Sequence, residues 1–303
     1  MKKLLIAIPI TLISLSSCTN SLGNNSEGLV DQENINIVSD INELAINTFL
    51  KSNDKTLSDM VIDEEENLDK NTEPKAKSEV KEDIIKNVEK YADKDPKARW
   101  VYDNFFNITN VEAYLTGNDP DTIEFVYNMN HNITDFPNNP GPSLDLGRKT
   151  PLYLQWDNRW AYNELGQRNI GISGCGPTST AMVLSRVKND PSITPDKIAK
   201  DAKTYMSSEG ISWAFFPDEA KKYNLNSKDI PIDEKEMIEA LKKGPLIVSV
   251  SRGYFTLFGH IFVIDSYEDG KFLVNDPNSV KNTMRPWSFE EMSNQIAHIW
   301  QIY

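Results

Sequence analysis

The stretch Gly171-Ile-Ser-Gly-Cys-Gly-Pro-Thr-Ser-Thr-Ala-Met-Val-Leu184 sets a cysteine between two glycines, directly before a proline and an apolar run. The apolar residues Ala181, Met182, Val183, Leu184 and Val187 predict a helix downstream of Cys175. Gly174 and Gly176 allow an abrupt change from loop to helix and a close approach by another backbone. Pro177 suits a first helical turn, where its missing N–H leaves no gap. A thiol at such a junction is either a small buried hydrophobe or a nucleophile. Free cysteine has a pKa near ~8.5, so little thiolate exists at neutral pH. A helix N-terminus and a neighbouring imidazolium both favour the anion. A depression of about two units corresponds to roughly 2.7 kcal/mol of differential stabilisation. The backbone N–H of Cys175 is also a candidate donor to an oxyanion.

A base for that thiol must come from three histidines. His131 lies in the polar stretch Asn128-Met-Asn-His-Asn132, and His298 precedes the terminal apolar segment. His260 ends Phe255-Thr-Leu-Phe-Gly-His260 and opens the apolar run Ile261 to Ile264. It is therefore either a half-buried packing residue or a base at a strand end. A base needs an acceptor on its far nitrogen, here taken as one on Nδ1, to fix the tautomer. Asn275-Asp-Pro-Asn278 follows the next predicted strand, and a hairpin would bring Asp276 or Asn278 toward His260. Either could equally be a plain turn former.

The surrounding pattern is that of an α+β chain. A second helix is predicted over about Pro195 to Met206, and a third from Asp233, with Glu236 completing a capping box and Gly244-Pro245 as a stop. Strands are predicted at Leu246–Ser251, His260–Ile264, Lys271–Asn275 and Ile299–Ile302, with Glu268-Asp-Gly270 as a hairpin turn. Ser288 and Glu291 form a further capping box. Helices followed by a mostly antiparallel sheet fit α+β architecture. Upstream, Val80, Ile84, Val88 and Tyr91 fall at helical spacing, and short apolar helices follow around 100–106, 111–115 and 123–127. Residues 79–147 therefore read as a small helical prologue, closed by the Pro- and Gly-rich loop 136–142, before a main domain over 148–303.

The N-terminus differs in kind. Lys2 and Lys3 precede a short apolar segment, Leu4 to Leu15, which reads as a secretory signal. Leu15-Ser-Ser-Cys18 resembles a bacterial lipobox, which implies cleavage after residue 17, lipidation of Cys18 and anchoring at the outer face of the cell membrane. Residues 18–78 are acidic and polar, including Asp63-Glu-Glu-Glu66, and are expected to be a disordered tether with a short helix near Ile41 to Leu50. The chain has only two cysteines, so a lipidated Cys18 leaves Cys175 without a disulfide partner. The net charge of -13 argues against a nucleic-acid partner. No paired His/Cys spacing suggests a metal, and no cofactor is expected. A monomer is expected.

Four motifs together resemble the papain-like cysteine peptidases of family thirty-nine, in a stand-alone branch related to the bacteriocin-leader peptidases. They are Pro151-Leu-Tyr-Leu-Gln-Trp-Asp-Asn-Arg-Trp160, Ser173-Gly-Cys-Gly-Pro-Thr178, Gly253-Tyr-Phe-Thr-Leu-Phe-Gly-His260 and Val274-Asn-Asp-Pro-Asn278. The segment Asn118 to Tyr127 also resembles one that precedes this domain in exported Gram-positive members. The resemblance implies a papain-like fold and hydrolysis of a peptide or protein substrate through a thioester. It implies Cys175 as nucleophile, His260 as base, Asp276 as orienter and Gln155 as side-chain oxyanion donor. Gln167 competes for that last role, because it lies eight residues before the cysteine and Gln155 lies twenty before it. Acyl transfer to an amine, or a binding module without turnover, shares the same motifs. Trp156, Trp160 and Trp213 are expected in the core or in cleft walls.

Overall fold

A computed structural model describes residues 73–303. The signal, Cys18, most of the tether and the helix expected near Ile41 to Leu50 lie outside the described residues. Four short helices come first: α1 (Lys81–Ala92), α2 (Pro96–Asn104), α3 (Asn110–Asn118) and α4 (Ile123–Asn130). Asp95 caps α2 ahead of Pro96, and a reciprocal Thr109–Glu112 box opens α3. On α1 the stripe Ile84, Val88 and Tyr91 is buried.

A small ribbon, β1 (Glu164–Leu165) and β2 (Arg168–Asn169), then leads into α5 (Ile170–Ser173) and α6 (Cys175–Lys188). Every residue of α6 from Gly176 to Ser185 is buried. A helix buried on all sides draws its stability from tertiary packing rather than from an amphipathic stripe. Then come α7 (Pro195–Ala202), the ribbon β3 (Met206–Ser207) with β4 (Gly210–Ile211), and α8 (Phe215–Lys222). The helix expected to reach Met206 stops at Ala202, because residues 203–205 tighten into a 3-10 turn that feeds β3.

The remaining strands build one sheet. They are β5 (Ser227–Asp229), β6 (Leu246–Ser251), β7 (Gly259–Glu268), β8 (Lys271–Asn275), β9 (Pro286–Trp287) and β10 (Ile296–Ile302). Their order is β5-β10-β6-β7-β8-β9, antiparallel throughout. Asp269 and Gly270 both take positive φ, which a two-residue turn between β7 and β8 requires. Between the strands lie α9 (Glu234–Leu241), α10 (Val280–Met284) and α11 (Phe289–Ser293). The Ser288–Glu291 capping box forms as expected. Asp233 caps α9 alone, accepting from the N–H groups of Lys235 and Glu236.

The central strands read as continuous apolar runs because both of their faces are covered. Ile247, Ile261 and Val263 join one core with α6. Leu246, Val248, Phe262 and Ile264 join a second core with α9 and α11. Period-two alternation sends neighbouring residues to opposite cores. The first core also takes in Val88, Val101, Phe105 and Phe125, so the prologue helices and α6 share one interior. Among the described residues, no helix is long and apolar enough to cross a membrane.

Candidate active site

Cys175 is the first residue of α6, with Gly174 as N-cap. The first N–H groups of a helix have no intrahelical acceptor and carry the positive end of its dipole. Gly174 is required here: a Cβ would lie 2.4 Å from the Ile170 carbonyl oxygen. Ser179, one turn beyond Cys175, donates its hydroxyl to the Ile261 carbonyl at 3.1 Å. That bond fixes the head of α6 over the start of β7, next to His260.

His260 pairs across the sheet with Val250 and is buried, at 7% exposure. Its Nε2 lies 2.7 Å from Asp276 Oδ1. The Cys175 side chain lies near enough to the ring to interact with it electrostatically. The expected acceptor on Nδ1 is therefore corrected: the carboxylate sits on Nε2. The physical reason is the hairpin. Asp276 approaches from the end of the strand paired with β7. Burial alone would lower the imidazole pKa. The Asp276 charge and hydrogen bond, with a further contribution from Cys175, raise it instead to about 10.

Asp276 is fully buried at the end of β8. Burial raises its pKa, but the facing imidazole outweighs this and holds the carboxyl below its usual range. Its oxygens are nearly saturated. Oδ1 also accepts from the Asn278 N–H at 2.9 Å, and Oδ2 accepts from Asn282 Nδ2 at 2.8 Å. Its own N–H donates to Thr283 Oγ1 at 2.9 Å. Arg148 braces the same strand end, donating to the Val274 carbonyl, Asn275 Oδ1 and the Thr283 carbonyl. Asn278 is thus a turn residue that serves Asp276 through its backbone. Asn282 and Arg148 were not singled out in the sequence. Asn282 lies six residues past Asp276 on α10, and only the return of that helix brings it back.

Gln155 is buried, and its Nε2 donates to the Gly171 carbonyl at 2.8 Å. An amide nitrogen carries two hydrogens, so one remains. The Gln155 N–H donates to the Pro277 carbonyl at 2.7 Å, which ties it to the Asp276 loop. Gln167 is exposed in the β1–β2 turn. Both border a cleft of about 780 Å³ that also exposes Cys175, His260, Asn278 and Trp213. Trp156 and Trp160 are buried, and Trp156 Nε1 donates to the Asn278 carbonyl. His131 and His298 lie elsewhere. His131 stacks on Tyr127 at 3.9 Å, and His298 pairs with Asp229 at 3.0 Å. Among the described residues, no group of three or more His, Cys, Asp or Glu side chains could hold a metal ion.

No curated protein matches the chain. Among solved structures it is similar to the peptidase domain of Streptococcus ComA, a bi-functional ABC transporter involved in a quorum-sensing pathway. Identity is 18% over 47% of this chain and 96% of that one, with a TM-score of 0.33. It is also similar to a double glycine motif protease from an AMS/PCAT transporter, solved in complex with the leader peptide. Identity there is 22% over 52% of this chain and 95% of that one, with a TM-score of 0.34. The model of the Peptidase_C39 like family matches residues 148–303, just over half of the sequence, and the chain belongs to that family.

Proposed function

We propose that the protein is a cysteine peptidase that cleaves a peptide bond through a Cys175–His260–Asp276 triad. The observation that carries this is the 2.7 Å bond between His260 and Asp276, on a ring that also meets the Cys175 thiol beside an open cleft. The Cys175 sulfur, its proton already held by His260 as the imidazolium, adds to the substrate carbonyl. The oxyanion takes hydrogen bonds from the Cys175 N–H and the second hydrogen of Gln155. His260 returns its proton to the leaving amine as the C–N bond breaks. Water, deprotonated by the same imidazole, then hydrolyses the thioester and regenerates the thiol. Asp276 keeps the ring turned toward the sulfur throughout.

The lipobox at Leu15 to Cys18 supports a lipid-anchored enzyme at the outer face of a Gram-positive membrane, with the catalytic domain over 148–303 held out on the acidic tether. The substrate in that reading is a peptide or protein, with no cofactor, no nucleic-acid partner and a monomeric enzyme. The test combines a peptide-library cleavage profile with iodoacetamide labelling of Cys175. Cleavage and fast labelling should both be lost in His260→Ala. Cross-linked products formed only with added amine donors would instead make the protein an acyltransferase. Equal, slow labelling of wild type and His260→Ala, with no cleavage, would make it a binding module.

A further inference from the structure

The family match begins at residue 148, yet one charged cluster at the cleft belongs entirely to the segment before it. Lys77 lines the cleft together with Cys175 and His260. Its side chain is only 8% exposed, and its ammonium pairs with both carboxylate oxygens of Asp119, itself buried. Its backbone N–H donates to the Gly253 carbonyl at 2.9 Å, in the loop that leads into His260. Ser78 and Asn118 exchange two hydrogen bonds beside it. Two residues past Asp119, the Asp121 Oδ2 accepts from the Val280 N–H at 2.8 Å, at the head of α10 just after Asp276. So the same small cluster grips the chain ahead of the base and the chain behind its orienter.

We propose that Lys77, clamped by Asp119 and bonded through its backbone to the loop of residue 253, is a positioning residue that holds the His260–Asp276 pair in register from the rim of the cleft. This rests on the triad assignment above. A buried cation is costly unless paired, and Asp119 supplies the pair. The groups facing Asp276 are the His260 ring, the Asn282 amide, the Asn278 and Thr283 bonds and, at longer range, the Lys77 charge. That charge acts to hold the Asp276 carboxyl down. Asp121 completes the cluster: burial, and then the Asp119 charge, push its carboxyl up, and its Oδ2 accepts from the Val280 N–H.

The test is the pH dependence of iodoacetamide alkylation of Cys175 in the full chain, which needs no substrate. Lys77→Gln keeps a donor for Asp119 and removes the charge. It should move the acid limb of the profile to higher pH by roughly half a unit, less than the ~1–3 units of a charge in direct contact because Lys77 acts at longer range. Lys77→Arg should restore the wild-type profile, and circular dichroism should show both folded. Lys77→Met should shift the limb at least as far, and serves if the glutamine variant does not fold. A folded Lys77→Gln or Lys77→Met with an unmoved acid limb overturns the proposal. His260→Ala separates the two layers. If it leaves the alkylation rate unchanged, the triad assignment itself falls. If it slows alkylation while Lys77→Gln does nothing, only the role of Lys77 falls.

Discussion

Replacing Asp276 by asparagine keeps the shape of the orienting side chain and deletes its charge. In the native site that charge holds the His260 imidazole at about 10 against the opposing effect of burial. With the carboxylate gone, burial is opposed only by the smaller Cys175 contribution, and the ring should titrate near or below the ordinary value of ~6.5. The gap of about 3.5 units, at ~1.36 kcal/mol per unit, sets an upper bound of about 5 kcal/mol on the stability linked to this proton. The sign follows from the raised folded-state pKa. The contribution is fully present below ~6.5 and is lost as pH rises toward about 10, because only the native state still holds the proton in that window. The depressed Asp276 carboxyl acts at the other end, contributing above ~3.8 and losing its contribution as pH falls through the lower folded value. The assay is a ring-proton NMR titration. It is tractable because the chain has three histidines, and His131 and His298 can be assigned by substitution. Thermal melts at pH 7 and 9.5 should show wild type weakening with pH and Asp276→Asn nearly flat. A wild-type His260 that titrates near 6.5, or a variant whose ring stays protonated above pH 9, would refute the reasoning.

Two further outcomes follow from single contacts. Gln155→Ala should lower kcat about 10²- to 10³-fold and cost about 1–3 kcal/mol of stability by orphaning the Gly171 carbonyl, while Gln167→Ala should leave kcat within about twofold; steady-state kinetics on any cleaved peptide decides between them. Phe125→Ala should cost about 3–5 kcal/mol in urea unfolding, because the ring is 1% exposed and occupies the space a Gly171 Cβ would need, 2.3 Å away. A loss below ~1 kcal/mol there would mean that the prologue does not share the core of α6.

Much of this molecule is written locally. The Gly-Cys-Gly-Pro junction, the apolar run behind it, the Asp-Gly turn after β7 and the Ser288–Glu291 box each act within a few residues, so composition and spacing alone predict α6, the hairpin and the cap. The order of cysteine, histidine and aspartate along the chain was legible for the same reason. What spacing could not supply is direction and return. Which imidazole nitrogen meets the carboxylate depends on how the end of β8 reaches the ring across the hairpin. Asn282 reaches Asp276 only because α10 folds back after the turn at 277–279. Lys77 comes to the cleft through bonds to residues 119 and 253, contacts so distant in sequence that no local pattern encodes them. Short-range preferences are properties of a peptide, and so the sequence by itself determined the elements and the candidate residues. Charge pairing and burial at a site exist only once distant segments have packed, and that decided which nitrogen, which amide and which lysine surround the sulfur.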